Sequence, residues 1–301
     1  MIALLLCLMF PHDSVWNHQV SGLPIAAQSR YWSVNFFRAT TGIQIAPPES
    51  CAVPILHTGP AWQRMTFDWP ATSDTCLYPF TYVPGNCGPD HGWAAVDTVN
   101  DLLYGIFSAH DSSHAAAGAR WDLKSDALRP EGWNSESESG MPAEAGWLEY
   151  DEVESGTIFH ALSCSLPWFV IANGHVWPAR SPEGSLAGIR PNPIPMGTRW
   201  RLRADFPVAA DASPEYRAII KCLEDYGAFV VDRNGIVGDY QNVGETCLEM
   251  AADPRWPASL RQEIAARTVG FSWYMEFVDE SKFMAEPNSM RWKSKPWWWP
   301  F

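Results

Sequence analysis

Twenty-five prolines are spread through this 301-residue chain, and with glycine, asparagine and aspartate they cut its apolar stretches into short runs. Proline lacks the backbone N–H and breaks helix interiors and central strands alike. A fold of short strands joined by turns is therefore expected. "GWAAVDTVNDLLYGIFSAHD" (92–111) reads as a hairpin turning at Val99-Asn100-Asp101. "RWDL" (120–123), "TIFHALSCSL" (157–166), "TRWRLRADF" (198–206) and "AFVVD" (228–232) also read as strands. In "TRWRLRADF", Arg199, Arg201 and Arg203 alternate with Trp200, Leu202 and Ala204, the pattern of a half-solvated strand.

"SPEYRAIIKCLEDYG" predicts a helix, with Ser213 as N-cap, Pro214 in the first turn and Gly227 as the stop. A weaker helix is predicted over "PASLRQEIAARTVG" (257–270), and the polar segment 131–146 reads as a surface loop. No repeat and no alternating βαβ pattern is present. The class expected is mainly β with a few helices, an antiparallel β-sandwich or barrel-like single domain over 11–280. Residues 1–10 form a signal-like apolar segment, and 281–301 a Trp-rich tail that is either a strap or an exposed end.

With 47% apolar and 18% charged residues, the chain has ample material for a core. A net charge of −13 argues against nucleic acid and against anionic lipid as partners. The opening MIALLLCLMF is too short to span a bilayer. It resembles the apolar part of a secretory signal without the basic flank or cleavage site, as a truncated or misassigned start would. Beyond Cys7 there are six cysteines, none in C-x-x-C, which suits an oxidising compartment and up to three disulfides. The alternative is buried free thiols, most readily at Cys164 and Cys222. Secretion is expected. Seventeen tryptophans stand out; most should pack in the core, but flat indole faces also stack on sugar rings.

His160, in "GTIFHAL", would lie on a covered strand beside Ile158, Leu162 and Cys164. It is either a buried imidazole with a hydrogen-bond partner or a general acid–base group. Asp97 and Asp232 each end an apolar strand and can supply the paired carboxylates of glycoside hydrolysis, or simply cap turns. Asp151 and Glu152 are expected in a solvated turn. Arg180 and Trp177, in "VWPAR", suit a sugar-binding pair or a structural ion pair beside a packed indole, and Tyr104 joins them as a substrate-binding candidate. His110 and His114, in "HDSSH", would share a metal if helical, but the flanking Ser and Ala point to a loop, so no metal and no cofactor is expected, with a secreted metalloprotein using these two histidines as the lesser alternative. Nucleophile-elbow, P-loop and Rossmann motifs are absent.

The segments "FPHDSVWNHQVSGLPI", "GARWDLKSDALRPEGW", "YDEVESGTIFHAL", "VWPAR", "PMGTRWRLRADF", "YGAFVVDRNG" and "DPRW" occur in that order. Together they resemble a family of secreted bacterial and fungal proteins often joined to carbohydrate-binding modules. The resemblance runs from about residue 10 to 280 and implies an extracellular, glycan-associated setting. The family usually has histidine where Ser181 stands and glutamate where Gly105 stands. The function expected is a polysaccharide hydrolase or lyase working through His160 with Asp232 or Asp97 in a Trp-lined cleft. The alternative is a non-catalytic carbohydrate-binding or cell-surface protein.

Overall fold

The computed structural model describes residues 9–37, 42–45, 62–79, 92–181, 191–234, 246–251 and 253–293. Six strands form a mixed sheet in the order β1 (Ile43–Ile45), β13 (Thr246–Leu248), β8 (Leu162–Pro167), β12 (Ala228–Asn234), β11 (Arg199–Leu202), β14 (Met275–Phe277). This sheet curls into a half-barrel. A second sheet runs β3 (Thr66–Phe67), β7 (His114–Asp122), β6 (Leu102–Ala109), β5 (Trp93–Asp97). Two ribbons complete the strands: β2 (Gln63–Arg64) with β4 (Leu77–Tyr78), and β9 (Ile171–His175) with β10 (Ile194–Met196). The helices are α1 (Ser29–Phe37), α2 (Tyr150–Ser155), α3 (Pro214–Asp225) and α4 (Ala258–Arg267).

The fold is thus mixed α/β and strand-rich rather than a purely antiparallel sandwich. β1/β13, β8/β12, β9/β10 and β3/β7 all pair in parallel. Parallel neighbours need long crossovers. The crossover between β8 and β12 contains α3, which feeds directly into β12. α3 forms where its caps predict: Ser213 Oγ accepts from the Tyr216 N–H, and Tyr216, Ile219, Ile220 and Leu223 are buried. Gly227 stops it at φ +69, and a Cβ there would lie 2.1 Å from the Trp200 carbonyl oxygen.

Three local expectations are corrected. The arginine face of β11 is not solvated. Arg199 is 1% exposed, paired with Glu280 at 2.9 Å and donating to the carbonyls of Val15, His18 and Tyr226. Arg201 pairs with Glu276 and donates to the Val20 carbonyl. The planar fork of arginine matches several carbonyls at once, so these side chains clamp residues 15–20 onto the sheet. The segment 131–146 is no surface loop, because Ser135, Ser137, Ser139 and Met141 are buried. The strand at 157–166 begins only at Leu162, leaving His160 on the bend before it.

The main core joins both ends of the described chain, from Phe10, Val15 and Trp16 to Phe283, Met290 and Trp292. Trp292 stacks between Phe283 and His18. A smaller core under the second sheet holds Tyr78, Trp93, Tyr104, Ile106 and Trp147. Several tryptophans are therefore packing residues, while Trp62, Trp69 and Trp273 remain exposed. Cys76, Cys164, Cys222 and Cys247 are free thiols, and no disulfide joins described residues; Cys7, Cys51 and Cys87 lie outside them. The ends 1–8 and 294–301, which hold most of the signal-like segment and the last tryptophans, also lie outside the described residues.

Candidate functional site

The residues singled out from sequence do not form one constellation. His160 is 5% exposed, with Nδ1 2.9 Å from the Ala161 carbonyl and Nε2 3.0 Å from Glu152 Oε2. Glu152 itself is buried on α2, where a solvated turn was expected. Asp97 lies in the second sheet and Asp232 in the first. The Asp97 carboxylate is fully engaged in its turn, accepting from Val99 N, Asn100 N and Asn100 Nδ2. Burial raises its pKa, but these bonds outweigh burial and hold it below the ordinary value. Tyr104 is buried against Trp62 and Tyr78. Arg180 binds the Arg129 carbonyl and pairs with Glu131, the structural arrangement weighed for it above.

Arg180 and Asp232 do flank a common feature, the loop 133–142. Ser139 O accepts from both Arg180 N and Ser181 N, and Ser139 N donates to Val231 O. Arg233 pairs with Glu138 of the loop at 2.5 Å. Inside it, Ser135, Ser137 and Ser139 link hydroxyl to hydroxyl and down to the Met141 carbonyl. This ladder satisfies the serine hydroxyls and lets a serine-rich segment be buried.

Glu136 emerges from this loop, and Glu144 from the 3-10 turn Ala143–Gly146. Glu144 is 1% exposed. One oxygen of Glu136 accepts from Ala143 N at 2.9 Å; its other oxygen and both of Glu144 are buried with no donor beyond the proton that the two carboxyls can share. The two carboxyls are close enough to bond each other, which requires one to hold a proton. Burial pushes both upward, and the charge of Glu136 pushes Glu144 further. They have room only because residue 105 has no side chain. A Cβ there would lie 2.6 Å from Glu136 Oε2 and 2.7 Å from Glu144 Oε1. Glu249 accepts from Trp147 Nε1 at 2.9 Å and is pushed by burial to about 7. Chemically, such a cluster keeps protons to higher pH than exposed carboxyls do. Sequence reasoning passed over it because "SESESG" has the composition of solvent-exposed loop. The available signal was the glycine at 105, inside an otherwise apolar strand.

A concave surface lies elsewhere. A cavity of about 260 Å³ is lined by Trp32, Trp177, Thr198, Asp279 and Glu280, and one of about 620 Å³ by Ile25, Arg30, Arg203, Trp273 and Glu276. Ala26 and Ala27 line both, so the two adjoin along the segment entering α1. Trp177 is anchored by Nε1 to the Ser289 carbonyl, and Trp32 edge-on to Phe277. Trp273, on the 3-10 turn Phe271–Tyr274, is 65% exposed. Of the sequence candidates only Trp177 lines this groove. Comparison of the chain with protein-family models, curated proteins and solved structures finds no match in any of the three.

Proposed function

We propose that this is a secreted glycan-directed protein that binds a polysaccharide along the groove between Trp177 and Trp273. The observation that carries this reading is the groove itself, with indoles along it and charged groups beside them. Sugar rings stack on indole faces, and Arg30, Arg203 and Glu276 supply donors and acceptors for their hydroxyls. The resemblance to secreted proteins joined to carbohydrate-binding modules supports the same substrate class. The test is co-sedimentation with a panel of insoluble polysaccharides. The chain should bind at least one, and Trp273→Ala should weaken binding by about tenfold, the worth of one aromatic contact. Failure to bind any glycan, or binding indifferent to Trp273→Ala, overturns the reading.

A further inference from the structure

We propose that Asp68, His110 and His114 form a binding site for a divalent transition-metal ion of the borderline class typified by Zn2+. The two histidines stand at the ends of the turn joining β6 to β7. His110 N donates to the His114 carbonyl at 2.8 Å and Asp111 N to the same oxygen at 3.3 Å, so the turn sets the two rings side by side with centroids 4.8 Å apart. Asp111 Oδ1 accepts from both the N–H and the hydroxyl of Ser113, at 2.7 and 3.0 Å, and fixes the turn from within. A hairpin achieves here what a helix would achieve with histidines four residues apart.

The third ligand comes from outside the hairpin. β3 pairs in parallel with β7, Thr66 opposite His114 and Phe67 opposite Ala115, and Asp68 N donates to the Ala115 carbonyl at 3.1 Å. That ladder delivers the Asp68 carboxylate between the imidazoles. Its Oδ2 lies 2.9 Å from His110 Nε2 and its Oδ1 2.9 Å from His114 Nε2. The three ligand atoms all lie within 4.8 Å of one another. In a tetrahedral zinc site with bonds of about 2.0–2.1 Å, ligand atoms stand about 3.3 Å apart. Small side-chain rotations therefore convert the carboxylate-bridged pair into a ligand set.

Two imidazoles and one carboxylate select zinc and its transition-metal neighbours over Mg2+ and Ca2+, which favour all-oxygen shells. The side chains of all three residues are 40–44% exposed. Three protein ligands facing solvent leave a coordination position open to water or to an oxygen of a bound molecule. The site belongs to the second sheet and does not depend on the glycan groove.

The experiment uses the full chain, stripped by chelator and titrated with ZnCl2 by calorimetry and with CoCl2 by visible absorption. One ion per chain should bind, Co2+ should show the d–d bands of a low-coordinate site, and MgCl2 should give no heat. Asp68→Asn and His110→Ala should each weaken Zn2+ binding by at least about tenfold while the circular dichroism stays unchanged. Absence of Zn2+ binding overturns the proposal. So does stoichiometric binding that survives the double variant His110→Ala/His114→Ala, which would place the ion on other ligands such as the free thiols.

Discussion

His160 carries a hydrogen-bond pattern that favours its charged form. The Ala161 carbonyl only accepts, so Nδ1 donates to it, and Nε2 faces the buried Glu152 carboxyl, a geometry in which a charged ring donates from both nitrogens. Burial alone pulls its pKa down, but the hydrogen bond and charge of Glu152 more than reverse this and leave it raised. A raised folded pKa means the stabilisation is fully present below the unfolded value near 6.5 and is lost as pH rises through the folded value. Glu152→Gln, which strands the cation, should destabilise the protein by about 3–5 kcal/mol in urea unfolding at pH 6. The deficit should shrink at pH 9, and one that grows with pH would refute the imidazolium. At this scale the sequence showed that His160 needed a partner but not which one. Glu152 was hidden because "YDEVES" forms a short helix, and only that turn of helix brings the carboxylate inward.

At the scale of the strand, Gly105 separates packing from chemistry. It stands opposite Ala94 on β5 and Ala119 on β7, so its own sheet is lined with small residues around the carboxyl pair. Gly105→Ala would drive a methyl to 2.6 Å from Glu136 Oε2. The neighbours must shift, and a loss of about 1–3 kcal/mol is expected, as for other overpacked sites. Adding Glu136→Ala should recover part of it, because Glu144 Oε1 at 2.7 Å still crowds the methyl, measured as a double-mutant cycle; no coupling between the two changes would mean the strand relaxes some other way. The β5–β6 hairpin and α3 were legible because their instructions are local: Asp97 and Asn100 in the turn, Ser213 and Gly227 at the helix ends. The arginine face of β11 and the serine ladder were not. Their burial depends on partners far along the chain, Glu280 for Arg199 and Val231 for Ser139. A polar residue with a distant partner has the same local composition as one in water. The tryptophan count pointed toward stacking surfaces in the same limited way, since only the fold decides that Trp16 is core and Trp273 is surface.

Across the whole molecule the acids divide into two groups with opposite effects on stability. Asp97, Asp253 and Glu263 have their pKa raised by burial but lowered more by hydrogen bonds or arginine. Those groups add stability above the unfolded carboxyl range and lose it as pH falls. Glu136, Glu144, Glu149, Glu249 and Asp126 are pushed up by burial, to about 7 for Glu149 and Glu249 and about 6 for Asp126. Each keeps a proton to higher pH than it does in the unfolded chain, with Glu136 and Glu144 sharing theirs, so stability falls as pH rises from about 4.5 toward 7. The net charge of −13 adds general repulsion in the same direction. Thermal melts from pH 3.5 to 9 should therefore peak between about pH 4.5 and 6, and a maximum at or above pH 8 would contradict this balance. Glu144→Gln removes the more deeply buried member of the Glu136–Glu144 pair and should raise Tm at pH 7.5 by about 2–4 °C for each kcal/mol relieved. At pH 4.5, where the carboxyl is protonated anyway, it should change little. A chain that gains stability by losing an acid has no structural reason to keep it there, so a Tm rise in Glu144→Gln would mark the pair as strain held for chemistry. A fall would mark it as a satisfied structural contact.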